Sequence, residues 1–396
     1  MSTSPRANWN YPTAIRFGAG RITELPDACR AAGIAKPLLV TDAGLAKLDI
    51  TTRTLQILRD AGLNPGLFAD VQPNPVEANL TAGIAAYKAG GHDGVVAFGG
   101  GSGLDVAKLV AFMAGQTRPV WDFEDIGDWW TRADADAIAP VVAVPTTAGT
   151  GSEVGRAAVL TDPKHVKKII FHPKMMPKVV ICDPELTVGM PPVITVGTGM
   201  DALAHCLEAY CAAGYHPMAE GIAVEGIRLV FTYLPRAMAD GTDIEARANM
   251  MSAALMGATA FQKGLGVVHS LSHPVGALYN THHGMTNGVF MPYVLAFNRP
   301  AVEEKVDRLA AWLGIDGGFD GFQAALLDLR KRTGVPHTVR ELGLDNFLDD
   351  KIAMMALDDP STGGNPVSFD ISASLLLFNA AYKGDFGAIP RRDKIA

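Results

Sequence analysis

Histidines are concentrated in residues 264–284, GLGVVHSLSHPVGALYNTHHG. Four of the ten histidines lie there: His269, His273, His282 and His283. His269 and His273 are four residues apart, so on a helix both imidazoles leave the same face. Pro274 is expected to end or bend that helix, because it has no N–H to donate. A single histidine in such an apolar stretch is more typical of a core hydrogen bond, but a group of them most commonly converges on a metal.

A second pair with the same spacing lies in residues 197–210, GTGMDALAHCLEAY. Asp201 and His205 are four residues apart and therefore share one helix face. A carboxylate with imidazoles is a mixed ligand set that suits Fe(II) or Zn(II). The alternative is an acid–histidine pair on a helix surface, which would stabilise the helix by only about 0.3 kcal/mol. Apolar neighbours make a solvated face the weaker interpretation: Leu203, Ala204 and Leu207.

The composition excludes several classes of function. The chain has 396 residues, 48% of them hydrophobic, which allows a large core and is typical of two domains. A net charge of −7 gives neither a basic footprint for nucleic acid nor a polybasic membrane patch. The opening MSTSPRANWNYP has no apolar core, so it is not a secretory signal, and no apolar run reaches transmembrane length. Four cysteines without a CxxC pair indicate reduced thiols in a cytoplasmic protein.

The elements that must position these residues change character near residue 188. Residues 1–187 alternate short apolar runs with helix-period stretches, which predicts an α/β domain with a mostly parallel sheet covered by helices. Strands are predicted at 37–42 and 66–70, and at the beginnings of 93–115 and 139–153. Helices are predicted at 51–62 and 78–91, and in the rest of 93–115. Beyond residues 179–186, Ala, Leu and Met recur at helical spacing, so residues 188–396 are expected to form an all-helical domain. Residues 358–366, DDPSTGGNP, are interpreted as a loop between helices.

Two glycine-containing loops follow predicted strands of the first domain. In GGGSGLD (99–105), glycines at a strand-to-helix turn allow backbone N–H groups to approach a phosphate. The loop departs from the ordinary dinucleotide fingerprint, because Leu104 stands in place of the third glycine and the candidate ribose-binding acid, Asp42, precedes the loop. PTTAGTGSE (145–153) offers hydroxyls suited to a phosphate or an amide. Since it should follow a neighbouring strand, the two loops are expected to share one ligand.

Taken together, these motifs resemble the iron-containing (group III) alcohol dehydrogenase family. The resemblance runs nearly end to end and rests on six stretches in the same order: FGAG (17–20), GGGSxxD (99–105), PTTAGTGSE, the DPEL run, GTGMDALAH and GLGVVHSLSHPVGALYNTHHG. It implies a Rossmann-like N-terminal domain and an all-α C-terminal domain, the fold shared with dehydroquinate synthase. It also implies a homodimer or larger homo-oligomer, with the domains at 1–187 (dinucleotide-binding) and 188–396 (metal-binding and catalytic).

The resemblance also assigns individual residues. The implied metal ligands are Asp201, His205, His269 and His283. His273 matches a family histidine near the nicotinamide that does not bind the metal, and His282 has no counterpart among the ligands. The implied cofactor-binding residues are Asp42, Asn74, Gly101, Ser102, Thr146, Thr147, Thr150 and Lys168. The implied cofactors are Fe(II), with Zn(II) as the alternative, and NAD(H).

The expected reaction is hydride transfer between a primary alcohol, or its aldehyde, and nicotinamide. A divalent metal with an open position makes an alcohol proton easier to lose and polarises an aldehyde carbonyl, and His273 is a candidate proton relay. Two alternatives remain at this stage: a zinc glycerol dehydrogenase or dehydroquinate-synthase-like enzyme on the same fold, and a metal-stabilised binding protein without turnover. NAD is expected to be preferred over NADP because Asp42 would repel a 2′-phosphate, unless Asp42 only caps the turn before Ala43 and Gly44.

Overall fold

The structure, a computed structural model, describes residues 12–164, 166–344 and 349–390. The opening segment 1–11, which carries most of the stretch excluded above as a secretory signal, lies outside the described residues. The chain divides into two compact units, of which one ends at Met190 and the other begins at Pro191. Among the described helices, none combines the length and the apolar character that spanning a membrane requires.

The first unit is built from strands and the helices that connect them. Its described strands are β1 (Ala14–Phe17), β2 (Pro37–Val40), β3 (Gly66–Phe68), β4 (Gly94–Gly99), β5 (Val141–Pro145), β6 (Ala157–Thr161), β7 (Lys167–Phe171) and β8 (Val179–Cys182). Its described helices are α1 (Leu25–Ala31), α2 (Asp49–Asp60), α3 (Glu77–Gly90) and α4 (Gly101–Met113).

Six of these strands form one parallel sheet in the order β1-β8-β5-β4-β2-β3. Every residue of β2, β4, β5 and β8 is buried. Strands of a parallel sheet have this continuous apolar character because helices cover both faces of the sheet. The carboxyl ends of β2, β4 and β5 are neighbours in this order. The segments that follow these three strands therefore lie side by side, where an open α/β sheet binds its ligands.

The second unit is helical throughout its described part. Its helices are α5 (Pro192–Cys211), α6 (Pro217–Ala239), α7 (Ile244–Ala260), α8 (Val267–Tyr279), α9 (His283–Leu313), α10 (Gly318–Arg332), α11 (Asp349–Leu357) and α12 (Ile371–Lys383). Helix α5 is apolar on nearly all sides and buried along almost its whole length, which is typical of a central helix. It contacts α6, α7 and α9.

The expected α/β fold followed by an all-helical part is confirmed. The predicted strands and helices between residues 37 and 153 are all present, with ends that differ by a few residues. Three features of the first unit were not predicted: strand β1, helix α1 and the antiparallel hairpin β6–β7. The loop expected at 358–366 contains a short 3₁₀ turn, Pro360–Gly364, between α11 and α12.

Pro274 was expected to end or bend its helix, and the first of these alternatives is wrong. Helix α8 continues past Pro274 to Tyr279 and stops at Asn280, whose φ of 53° is left-handed. An internal proline removes the backbone hydrogen bond that its own N–H would donate and crowds the carbonyl of residue i−4, at a cost of about 3 kcal/mol. Pro274 is itself buried, so apolar packing of this helix offsets the loss.

A buried carboxylate ties the start of the first unit to the end of β8. Asp183, fully buried, accepts backbone hydrogen bonds from Gly20 and Glu185 at 3.1 Å and from Ile22 at 2.9 Å. The FGAG and DPEL stretches are therefore two parts of one structural contact.

Replacing Asp183 with Ala should leave three buried N–H groups without an acceptor and lower the free energy of unfolding by on the order of 3 kcal/mol. Chemical denaturation followed by circular dichroism measures the change. Asp27→Ala is the matched control, since Asp27 is exposed and forms only a surface ion pair with Arg30. Equal unfolding midpoints for the two variants would contradict this account.

Candidate active site

One carboxylate oxygen of the helical unit faces three imidazoles. Oδ1 of Asp201 lies 3.8 Å from Nε2 of His205, 3.7 Å from Nε2 of His269 and 3.4 Å from Nε2 of His283. Asp201 and His205 are one turn apart on α5, and the other two histidines come from α8 and the first position of α9. Asp201, His205 and His269 are buried, whereas the His283 side chain is 26% exposed.

These separations fit a shared metal ion. Ligands about 2.1 Å from a tetrahedral ion lie ~3.4 Å from one another, close to the separations between Asp201 and the imidazole nitrogens. Among the described residues, Asp201, His205 and His269 each offer one donor atom, and the three atoms lie within 4.8 Å of one another. His283 is outside that group but has the shortest of the three separations from Asp201. One oxygen and three nitrogens form a donor set that Fe(II) and Zn(II) both accept.

The electrostatic environment of the cluster favours a cation. Burial opposes ionisation of Asp201, yet the neighbouring His205, His283 and His269 hold the pKa of its carboxyl well below its usual range. Burial also opposes a positive charge on His269, but the carboxylates of Glu208 and Asp201 raise its pKa to about 10. Two carboxylates therefore stabilise positive charge at this point, and a divalent ion would meet the same field.

Glu208 contacts the cluster directly, and the sequence interpretation missed it. One of its carboxylate oxygens accepts a hydrogen bond from Nδ1 of His269 at 2.5 Å, and the other accepts one from the backbone N–H of Val268 at 2.7 Å. A hydrogen bond of this type fixes the tautomer and ring orientation of a metal-binding histidine. Glu208 is two helical turns after Asp201 on α5, so its spacing already placed it on the same helix face.

Asn287 is a second residue that was missed. Its Nδ2 donates to Oδ1 of Asp201 at 2.8 Å and lies 3.3 Å from Nε2 of both His269 and His283. Its side-chain oxygen accepts from the Ser272 hydroxyl. Asn287 is one turn after His283 on α9. It therefore orients Asp201 from the helix that also carries an imidazole of the cluster.

The two remaining histidines of the 264–284 stretch have other partners. Nδ1 of His273 lies 2.7 Å from a carboxylate oxygen of Asp359, and its ring is stacked on that of His283. His282 begins α9 as its N-cap, and burial lowers its pKa. A Cβ on Gly197 would lie 2.3 Å from the His282 ring. Gly197, the first glycine of GTGMD, thus makes room for the His282 ring.

The two loops of the first unit are in contact. The backbone N–H of Thr146 donates to the carbonyl of Gly99 at 3.0 Å. A Cβ on Gly101 would lie 2.6 Å from Thr150, so only glycine allows this approach. The Thr146 hydroxyl is buried and has no hydrogen-bond partner among the described residues. A glycine turn, the N-terminus of α4 and an unused hydroxyl at neighbouring strand ends fit a dinucleotide phosphate.

The other implied cofactor residues differ in their surroundings. Ser102 is in the first turn of α4, and Asn74 has a left-handed φ of 52°. Lys168 forms an ion pair with Glu124 at 3.0 Å. Oδ1 of Asp42 accepts the backbone N–H groups of Gly44 and Leu45, both at 2.9 Å. Asp42 therefore does cap this turn, and the cap uses one of its two carboxylate oxygens.

Two charged residues of α4 were given no individual role from the sequence, although one of them is the aspartate of the GGGSxxD motif. Asp105 accepts from the Ser152 hydroxyl at 2.5 Å and from the Val159 N–H at 3.0 Å. The buried ammonium of Lys108 donates to the Ser152 carbonyl at 2.9 Å. Both residues lie on α4, so the helix that follows the glycine loop also holds the end of the threonine loop.

Known proteins resemble this chain over most of its length. Residues 12–184 match the family described as iron-containing alcohol dehydrogenase, and residues 195–382 match the C-terminal part of the Fe-containing alcohol dehydrogenase family. The chain is 40% identical over 366 residues to the 4-hydroxybutyrate dehydrogenase of Cupriavidus necator, covering 90% of this chain and 94% of that one. It is 37% identical over 368 residues to the NAD-dependent methanol dehydrogenase of Bacillus methanolicus, covering 91% and 95%. The crystal structure of a 1,3-propanediol oxidoreductase superposes with a TM-score of 0.90 at 34% identity, covering 95% and 100%.

These matches define the class as that of metal-dependent, nicotinamide-linked dehydrogenases. The chain belongs to the iron-containing alcohol dehydrogenase family. It is an NAD-linked enzyme that transfers hydride between an alcohol or aldehyde and nicotinamide, and iron and NAD(H) are the cofactors of the family. The alternative enzymes on the same fold are not favoured by these relatives. The ligand set and the cofactor-binding residues stay predictions.

Helices α5 and α9 approach so closely at Gly284 that only glycine fits. A Cβ there would lie 1.9 Å from the carbonyl oxygen of Gly197. This contact brings His283, the residue before Gly284, to Asp201.

Gly284→Ala should therefore displace the start of α9, with a loss of about 1–3 kcal/mol in the free energy of unfolding and a lower metal content. Thermal unfolding and metal analysis of purified protein measure the two effects. Gly221→Ala in α6, where a Cβ meets nothing within 4 Å, is the matched control and should keep full metal content. Equal metal content in both variants would show that the close contact does not position His283.

Proposed function

We propose that the enzyme interconverts a small primary alcohol and its aldehyde at a metal held by Asp201, His205, His269 and His283. The main observation that supports this proposal is the convergence of three Nε2 atoms on one buried carboxylate oxygen. The compounds in the names of its relatives support the substrate class, since 4-hydroxybutyrate, methanol and 1,3-propanediol each carry a primary hydroxyl group. We propose Fe(II) as the ion in the cell, with Zn(II) able to occupy the same donor set.

When bound, the metal supplies a Lewis acid that polarises the oxygen of the alcohol or aldehyde. The chain's own residues prepare for this. Glu208 holds Nδ1 of His269, so that Nε2 is the nitrogen directed at the cluster. Asn287 holds the Asp201 oxygen. His273 is engaged through Nδ1, which leaves its Nε2 to exchange a proton with the reacting hydroxyl. Oxidation of the alcohol releases one proton and transfers one hydride to NAD⁺.

We propose that the first unit binds NAD(H) through Asp42, Asn74, Gly101, Ser102, Thr146, Thr147, Thr150 and Lys168. The pyrophosphate would lie at the N-terminus of α4, where backbone N–H groups and the helix dipole favour negative charge. The contact between the Gly101 and Thr150 positions supports one shared ligand for both loops. Asp42 would accept from the adenosine ribose through the oxygen that does not cap the turn.

We further propose a cytoplasmic homodimer or larger homo-oligomer. The thiol state supports the compartment, because all four cysteines are buried and free. Burial raises the pKa of Cys29, Cys206 and Cys211 to about 12, which keeps these thiols protonated and unreactive.

Replacing His269 with Ala should abolish both metal binding and turnover, because it removes an imidazole and leaves one oxygen of the buried Glu208 carboxylate without its partner. His273→Asn is the matched control one turn away, and it should keep the metal while lowering kcat by about 100-fold, the typical contribution of a positioned proton-transfer group. Anaerobic purification, metal analysis and loss of NADH absorbance with a panel of aldehydes measure the outcomes. Full metal occupancy and normal rate in His269→Ala, or loss of metal in His273→Asn, would overturn the ligand assignment.

Cofactor preference should depend on the charge of Asp42. Asp42→Asn retains an oxygen for the Gly44 and Leu45 N–H groups but removes the repulsion of a 2′-phosphate, so kcat/KM with NADP should rise relative to NAD. Asp42→Gly removes the cap as well and should shift the ratio in the same direction. Steady-state kinetics with both cofactors measures the ratio. A wild type that uses NADP as well as NAD, or an unchanged ratio in both variants, would show that Asp42 only caps the turn.

A further inference from the structure

His273 and Asp359 form a buried pair beside the proposed metal cluster. Nδ1 of His273, on α8, lies 2.7 Å from Oδ2 of Asp359, which follows α11. The two side chains are only 16% and 8% exposed. Burial opposes ionisation of Asp359, but His273 and the N–H and hydroxyl of Ser361 lower the pKa of its carboxyl to about 2. Asp359 is therefore an ionised carboxylate, and its hydrogen bond with Nδ1 of His273 is shielded from solvent.

The His273 ring is held on its other sides by the cluster itself. It stacks on His283 with 5.2 Å between ring centroids and an interplanar angle of 14°. It also meets the His269 ring edge-on at 5.7 Å. These contacts fix the plane of the ring but do not determine which of its nitrogens carries a proton. The hydrogen-bond partner of Nδ1 determines that.

Asp359 also caps a turn in its own segment, independently of its hydrogen bond with His273. Its Oδ1 accepts the Ser361 backbone N–H at 2.9 Å and caps the turn Pro360–Gly364. Asp385 caps the turn Phe386–Ala388 in the same way, through the Gly387 N–H at 2.9 Å, and is exposed. Capping such a turn therefore does not require a buried carboxylate. The second oxygen of Asp359 has a separate use.

We propose that Asp359 is a positioning residue for catalysis, which holds His273 in the tautomer protonated at Nδ1 and keeps Nε2 as the acceptor available to the reacting hydroxyl. A carboxylate only accepts hydrogen bonds, so the tautomer with a bare Nδ1 is disfavoured. This inference rests on the proposed function, in which His273 exchanges the substrate proton. It adds a residue that none of the sequence motifs identified.

Asp359→Asn tests the tautomer directly. The Asn oxygen should replace Oδ1 at the Ser361 N–H, which turns the amide NH₂ towards His273. That group donates to Nδ1 and places the ring proton on Nε2. We expect kcat to fall by about 10- to 100-fold, as the wrong tautomer cannot accept a proton at Nε2, with metal content and KM for NAD unchanged. Asp385→Asn, which alters only a cap, should leave kcat unchanged.

A double-mutant cycle separates action through His273 from a general structural effect. In the His273→Ala background, Asp359→Asn should change kcat by less than about 2-fold, because interacting residues are not additive. Asp359→Ala gives a second cycle with the same expectation if the asparagine variant is unstable. Equal losses in both backgrounds, or an unchanged kcat in Asp359→Asn, would overturn the proposal.

The positioning role of Asp359 can also be tested by a measurement that does not depend on enzymatic turnover. Diethyl pyrocarbonate reacts with an unprotonated imidazole nitrogen, and peptide mass spectrometry of the metal-loaded protein gives the rate at His273. The rate should be several-fold higher in wild type and Asp385→Asn than in Asp359→Asn. Equal rates would overturn the positioning role even if the enzyme oxidises alcohols. A difference in rate without any dehydrogenase activity would instead support the positioning role and contradict the proposed function.

Discussion

Burial of the Asp201 carboxylate is the constraint on which the helical unit depends. An unpaired carboxylate in the interior costs several kcal/mol, so the chain must supply compensating groups around it. It does so from three helices: His205 from α5, His269 from α8, and His283 with Asn287 from α9. Because these groups come from different helices, the same charge that requires them also fixes how α5, α8 and α9 pack. The proposed metal would bind at the point where those helices must meet.

Glycine residues allow helices α5 and α9 to pack closely enough to bring these groups together. Gly284 allows α9 to approach the carbonyl of Gly197, and Gly197 leaves room for the His282 ring. A methyl group at either position would overlap atoms of the facing helix. Gly197 and Gly284 thus allow close helix contact and are not needed for backbone freedom, since neither has a positive φ. Gly101 does the same in the first unit, where its missing Cβ makes space for Thr150.

Much of the fold could be predicted from local sequence. Fully buried parallel strands appear as continuous apolar runs, which is why β2, β4 and β5 were found, and glycine stops marked the ends of α2 and α3. Strand β1 was missed because AIRF contains an arginine and only half-buried positions at its centre. The β6–β7 hairpin was missed although β6, AAVLT, contains an apolar run; its partner β7, KKIIF, begins with two lysines and has only one fully buried residue, Ile170. Pro274 does not end α8, because tertiary burial of a helix can outweigh the local cost of an internal proline.

The candidate site was predictable only where its residues follow helix spacing. Asp201 and His205 lie one turn apart on α5, so spacing alone identified them, and the same rule applied two turns further would have found Glu208. His283 is separated from Asp201 by three intervening helices. Its place in the histidine-rich stretch made it a candidate, but only the family resemblance assigned it as a ligand. Asp359 had no local signal, since an acid before proline in DDPSTGG is typical of a turn cap, and it does cap one. Its second oxygen reaches His273 across 86 residues of sequence, a contact that only the packing of α8 against the segment after α11 creates. Residues that orient a site rather than form it are therefore the ones that sequence reasoning misses, because their partners are fixed by tertiary structure.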